Sequence, residues 1–267
     1  MKILVKTRSE LQKAARWDID FHLPAEGVKA FPAKLLKRVD QVATISKDKR
    51  DPGKDSEGTF QYLDISSVDV TVGAVVNPQD VDSNEAPSRA RKVVQAFDLL
   101  ISTCRPTRGA IAVVPAKFHN EIASTGFSII RAKTGINPYY LHYALRLPST
   151  LEQFRKWSTG SSYPAILDED VAKTLIPVPS PEEQDEIALL VVKALKSREV
   201  DIHRANLVWN RTLDQITARL SGAPISAHLE EEAEEDEVPH TIEAIEAALK
   251  KYPTYNRPML TKALNAG

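Results

Sequence analysis

Cysteine is almost absent from this sequence: Cys104 stands alone among 267 residues. A lone thiol supplies neither a disulfide framework nor a cysteine-based zinc cluster, and it fits a reducing, cytoplasmic setting. Long apolar runs are missing too. The longest clean one, Ile187 to Val192, falls far short of the roughly 20 residues that a bilayer-spanning helix needs, so no membrane partner is expected. The opening stretch MKILVKTRSELQKAARWD turns charged too early for a signal peptide.

Motifs of common chemistry are wanting as well. Neither G-x-x-x-x-G-K-[ST] nor G-x-G-x-x-G occurs, so no glycine loop is available to cradle a nucleotide phosphate. No acid precedes a lysine by two positions, which removes the D/E-x-K element of a large nuclease class. The six histidines, at 22, 119, 142, 203, 228 and 240, have no ligand spacing. His119 and His142 read as ordinary surface or core residues. Ile136-Asn137-Pro138-Tyr139-Tyr140 approaches the N-P-P-Y loop of amino-methyltransferases, but the second proline and an upstream glycine-rich loop are missing. Asn137 reads instead as a helix cap with Pro138 in the first turn. Asp168, Glu169 and Asp170 are adjacent and would point in different directions on a helix, so they form no shared acid/base site. The expectation is a non-catalytic chain with no metal and no cofactor.

What is present is charge, unevenly spread. The formal net charge is −1, yet residues 230–237, EEEAEEDE, hold seven acids; without them the remainder stands at −1 + 7 = +6. Bases are dense at 29–50 (Lys29, Lys34, Lys37, Arg38, Lys47, Lys49, Arg50) and at 89–117 (Arg89, Arg91, Lys92, Arg105, Arg108, Lys117). A basic body suits a polyanion partner, although mild basicity is also common in proteins that touch no nucleic acid.

The element pattern is that of an α+β fold. FQYLDISSVDV, GAVV and FSIIRA read as strands, and DPGKDSEG (51–58) and NPQDVDSNEAPS (77–88) as exposed loops. FDLLISTCRPTRGAIAVV (97–114) reads as two buried strands joined by a turn, because Pro106 fixes its own φ and Gly109 permits a positive one. Its tip carries Ser102, Thr103, Arg105, Thr107 and Arg108. Guanidinium groups beside hydroxyls on a rigid hairpin suit phosphate oxygens and base edges, but a solvated turn with ordinary surface arginines fits the same residues.

NPYYLHYALRLPSTLEQFRKWS has helical spacing broken at Pro148, TGSSYPAI reads as a loop, and LDEDVAKTLIPVPS holds a short helix and a proline-flanked strand. Ser180-Pro181-Glu182-Glu183 forms a capping box with proline at the first helical position. From there to Leu220 neither glycine nor proline occurs, and a helix of about 40 residues would span roughly 60 Å. Its apolar stripe suggests pairing with another helix or folding back on its own domain, with a break possible near 196–201. TIEAIEAALKK (241–251) reads as a compact amphipathic helix.

In this order the segments resemble a target-recognition domain of the specificity subunit of a type I restriction-modification enzyme. YLDISSVD resembles the family's early strand, FDLLISTCRPTRGAIAVV its hairpin, INPYYLHYALRLP the helix after the middle strands, and TGSSYPAI the loop before the last short strand. IPVPSPEEQDEIA (176–188) is the most specific piece, a proline-flanked strand running into a long helix.

The resemblance implies a mixed or antiparallel β-rich recognition domain at 35–180 after an N-terminal extension, 1–34. A spacer and dimerisation helix follows at 181–220. The resemblance is silent on the tail, whose composition reads as an acidic linker at 221–240 and a C-terminal docking helix at 241–267. It implies a phage-defence subunit that binds double-stranded DNA and positions methyltransferase and nuclease or translocase subunits. Arg105, Arg108, Thr103 and Thr107 would face DNA, with Lys47, Lys49, Arg50, Arg89 and Arg91 beside them and Ser161, Ser162 and Tyr163 as a second surface. Ile187, Val191, Leu195 and Ile202 would lie against another helix, as in a coiled coil. Family members usually carry two recognition domains and two spacer helices; one of each is found here, which fits a half-length subunit that self-associates into a dimer or a single-domain relative serving another defence system. The competing reading is a protein-binding scaffold whose acidic tail mimics DNA or docks a partner. The tail could also cover the basic face as an autoinhibitor.

Overall fold

A computed structural model describes residues 4–54, 58–160, 162–222 and 238–252. The chain runs through α1 (Arg8–Ala14), α2 (Ile19–His22), β1 (Leu36–Arg38), α3 (Val39–Val42), β2 (Ala43–Ile45), β3 (Thr59–Leu63), β4 (Val68–Asp69), β5 (Ala74–Val75), β6 (Gln79–Asp82) and β7 (Ala90–Val93). There follow β8 (Leu99–Ser102), β9 (Ile111–Val113), β10 (Ile122–Ser124), β11 (Phe127–Ala132), α4 (Pro138–Arg146), α5 (Pro148–Trp157), α6 (Asp168–Lys173), β12 (Leu175–Pro177), α7 (Pro181–Ser221) and α8 (Ile242–Leu249).

The unbroken apolar run Leu99-Leu100-Ile101 has a simple cause: β8 is covered on both faces. Leu99 and Ile101 join one apolar cluster and Leu100 the other. β8 lies inside an antiparallel sheet of order β2-β11-β8-β9. One face of that sheet (Leu100, Ala112, Phe127, Ile129) packs on Leu63 and Ala123 of a second sheet, of order β6-β3-β10-β7, whose β3–β10 pairing is parallel. The opposite face (Leu99, Ile101, Ile111, Val113, Ile130) meets Tyr140, Leu141, Ala144 and Leu145 of α4 and Phe154 of α5. The central sheet is thus a middle layer, and each large apolar side chain it buries contributes roughly 1.5–3 kcal/mol.

Asp98, just before β8, is also buried. Its carboxylate accepts from Arg131 Nε and Nη2, both at 2.8 Å, and from the Gln95 N–H. This pair fixes β8 against β11.

One segment differs from the sequence expectation. Residues 77–88 contain β6, an edge strand paired antiparallel with β3. Only Val81 of its Gln-Asp-Val-Asp faces an apolar cluster, so its pattern looks like a loop. In the N-terminal extension, α1 and α2 form, and α2 and residues 26–27 lie against α5. Lys156 Nζ bonds Asp20, Arg155 pairs with Asp20 at 2.9 Å, and Glu152 accepts from the N–H groups of Glu26 and Gly27.

α7 is unbroken over 41 residues, about 60 Å long. Ser180 Oγ accepts from the Glu183 N–H at 3.3 Å. Gln184, one residue on, is buried; its Oε1 accepts from the Asn137 N–H (3.1 Å) and its Nε2 donates to the Pro179 carbonyl (3.0 Å). Asn137 Oδ1 caps α4 by accepting from Tyr139 N–H and Tyr140 N–H. The Asn-Pro and Glu-Gln pieces of the sequence are therefore one joint, which sets how α7 leaves the body.

Because Gln184 turns that face inward, the buried positions in the first three turns of α7 are Gln184, Ala188 and Val192, one step from the expected stripe; Ala218 is buried near its far end. Ile187, Val191 and Leu195 are half-buried, and Ile187 packs on the domain's own core, while Ile202 is exposed. The unpartnered stripe lies further along, at Ile202, Ala205, Trp209, Leu213, Ile216 and Leu220. α8 docks at the near end of α7 with Ile245 buried in the main core cluster, so its apolar face is covered by the body of this chain rather than held apart from the recognition fold. The acidic run 230–237 and residues 253–267 lie outside the described residues.

Candidate functional site

The β8–β9 connection forms as its sequence requires. Leu99, Leu100 and Ile101 pair with Val113, Ala112 and Ile111, and a single 3-10 turn, Pro106–Arg108, closes the tip with Gly109 at φ 71°. Arg105 is itself left-handed, at φ 47°. Its N–H donates to the Pro164 carbonyl at 2.7 Å, and its guanidinium lies 4.8 Å from the centre of the Tyr163 ring. Tyr163 is 76% exposed. Arg108, Thr107 and Cys104 are exposed beside it.

The 159–166 loop is sewn to this tip. Ala165 bridges Cys104 and Thr159, and the Ile166 N–H donates to the Thr103 carbonyl at 3.0 Å. Thr103 in turn gives its N–H and its hydroxyl to the Gly126 carbonyl, at 2.9 and 2.8 Å. The same β10–β11 turn receives Arg89, whose carbonyl accepts from the Thr125 N–H. Ser162 is exposed next to Tyr163, and Ser161 lies outside the described residues.

The 47–50 segment joins from the other side. The Arg50 N–H donates to the Arg91 carbonyl, the Val93 N–H donates to the Asp48 carbonyl, and Lys49 bridges Lys92. Lys47 reaches Asp168 at 3.0 Å while remaining 70% exposed. Burial alone would raise the Asp168 carboxyl, but Ser128, Lys47 and Lys92 outweigh it and hold the group below the ordinary range. Lys92 donates to the Phe127 carbonyl at 2.5 Å; burial lowers its pKa, with Lys47 and Lys49 pushing the same way and Asp168 opposing.

Three distant stretches, 47–50, 89–92 and 103–108, thus meet with the 159–166 loop around one turn, giving a face on which Lys47, Lys49, Arg89 and Arg108 are exposed and Arg105 is half-buried. Arg91 is different: its guanidinium donates to the Pro87 and Ala90 carbonyls and lies 3.3 Å from Asp51, so it braces the edge of β7. Thr103 is likewise committed to the backbone as a donor.

Arg146 was not singled out from sequence. Its Nη1 donates to the Gly109 carbonyl (2.5 Å) and its Nη2 to those of Val70 and Thr71 (2.9 Å each), tying the arginine tip to the β4–β5 hairpin. Its position one turn after His142 on the inner edge of α4 is the only signal the sequence offers. Asp69 of that hairpin pairs with Arg198 of α7 at 2.6 Å, and this arginine holds its carboxyl below the ordinary range.

No family model matches the chain. It is 26% identical over 159 residues to the HindI type I restriction enzyme specificity subunit of Haemophilus influenzae, covering 58% of this chain and 34% of that one. Over 85 residues it is 31% identical to the MjaIX specificity subunit of Methanocaldococcus jannaschii, 32% of this chain and 20% of that one. Among solved structures, the HsdS subunit of Thermoanaerobacter tengcongensis is similar with a TM-score of 0.53 at 35% identity, over 74% of this chain and 51% of that chain. A chain solved in work on assembly and conformational transition of the type I restriction-modification system gives 0.54 at 36%, with the same coverage. The chain therefore spans about half the length of those solved relatives and about a third and a fifth of the two curated ones.

Proposed function

We propose that this chain, a relative of the specificity subunits of type I restriction-modification enzymes, reads a short duplex DNA sequence and presents it to methyltransferase and nuclease or translocase subunits. The observation that supports this best is the convergence of exposed cations from separate stretches of chain on one braced face. Such a face suits a polyanion, and its hydroxyls and its arginine stacked on tyrosine suit base edges. Arg105 and Arg108 read bases. Lys47, Lys49 and Arg89 contact phosphates, Lys47 by leaving Asp168. Thr107 and Ser162 add hydrogen bonds. The chain performs no bond chemistry itself; it supplies position.

α7 sets spacing. Two copies paired antiparallel through its exposed stripe would place two reading faces at a fixed separation, and the target would be a near-palindrome with a constant gap. Selection from a random duplex pool, with the cognate methyltransferase present, tests the reading. Enrichment of a bipartite, near-palindromic sequence is expected. Absence of any enriched sequence would overturn it.

A further inference from the structure

α8 docks at the near end of α7, but the chain comes to it from the far end. The Ile242 N–H donates to Asp185 Oδ1 at 3.0 Å, and the His240 carbonyl accepts from Asn137 Nδ2 at 2.6 Å. The Tyr252 ring stacks on His119 at 4.3 Å between centroids, and Val238, Ala248 and Leu249 pack beside the buried Ile245. From Asp185 to Gly222, α7 rises about 55 Å. Val238 is four residues before Ile242, at most about 14 Å from it, so the return from Gly222 covers roughly 40–55 Å. Fifteen residues, 223–237, join those points. Their sixteen Cα steps reach at most about 58 Å, and an unconstrained flexible chain of that length spans only about 24 Å on average. Docking α8 on its own chain asks the connection for most of its reach.

We propose that in the paired molecule α8 is exchanged, each copy's α8 filling the groove of the other between α4 and the start of α7. This rests on the antiparallel α7 pairing proposed above. Paired helices lie about 8–10 Å apart, and antiparallel pairing through 202–220 sets Gly222 of one copy opposite about position 200 of its partner, roughly 22 Å along the axis from the near end of the partner's α7. The step from Gly222 to the partner's groove is then shorter than the step to its own groove, which is unchanged. The contacts formed are the same ones, so exchange forms no new interface, only a shorter path, and it locks the two copies together.

Two full-length chains in a Cys104→Ser background decide it, one carrying His119→Cys and the other Tyr252→Cys, with different tags, co-expressed and treated with a short bis-maleimide. Exchange predicts a covalent heterodimer carrying both tags, at twice the mass of the chain. If no heterodimer forms, and a chain carrying both substitutions closes on itself as a monomer, the exchange is overturned. A doubly substituted chain that links neither way shows the groove unoccupied and overturns it as well. Sedimentation equilibrium of the untreated protein separates the two layers of the argument. A monomer removes the α7 pairing itself, whereas a dimer without the heterodimer crosslink leaves the pairing and removes only the exchange.

Discussion

Arg105 occupies a backbone region that costs a non-glycine residue roughly 1–2 kcal/mol, and it is held there by Pro164 and Tyr163. These contacts hold the Arg105 side chain in one place at the tip. Arg105→Ala and Arg108→Ala should each weaken duplex binding by about 1–3 kcal/mol and relax preference at one base position; unchanged affinity and preference in competition assays would remove both from the reading role. Gly73 shows a different constraint. At φ 72° it lies against the Ile111 carbonyl, His142 Nε2 and Arg146 Nη1, with no room for a Cβ. Gly73→Ala should lower folding stability, read from urea unfolding, by at least about 2 kcal/mol, from strain and overpacking, and loosen the arginine tip through Arg146.

His142 gives a pH signature. Burial, with Arg146 adding to it, lowers its pKa from 6.5 to about 4. The unfolded chain therefore gains a proton near pH 6.5, while the folded chain gains one only near 4. Stability from this group is full above 6.5, falls between 6.5 and 4, and is lost below, by about 3 kcal/mol in all. Urea midpoints at pH 7 and pH 5 should differ more in the wild type than in His142→Gln; equal differences would contradict the assignment.

At the scale of elements, much was legible. The arginine hairpin followed from Pro106 and Gly109, α4 from Asn137-Pro138, and the start of α7 from Ser180-Pro181. Those signals are local, acting within a few residues of chain. What escaped was set from afar. β6 is a strand because β3 needs an edge partner. Arg91 turns inward because Asp51, forty residues earlier, is there to receive it. The rotation of α7 depends on Gln184 reaching Asn137, which no periodicity reveals. Gln184→Ala should leave the Asn137 N–H buried without an acceptor, at about 1–3 kcal/mol. In this account it weakens assembly with partner subunits more than isolated DNA contact, because the body keeps its face while α7 loses its bearing. Pull-down with the methyltransferase beside duplex binding checks the split.

For the whole molecule, the formal charge of −1 conceals a body at +6 once residues 230–237 are set aside. The basic segments looked scattered along the sequence and become one face only through the pairing of 47–50 with β7 and the stitching of 103–108 to 159–166. The resemblance to specificity subunits is the ground for the task proposed, and the fold supplies the surface on which it would be done. With Lys47, Lys49 and Arg89 each on a phosphate, log affinity against log salt should fall with a slope of roughly −3. The most direct measurement is that slope for a selected duplex, with the methyltransferase present, in wild type and in a Lys47→Ala/Lys49→Ala/Arg89→Ala variant. The expected outcome is a steep wild-type slope that becomes shallower by about 2–3 in the variant. A wild-type slope near zero, or the same steep slope in both proteins, would contradict DNA reading by this face.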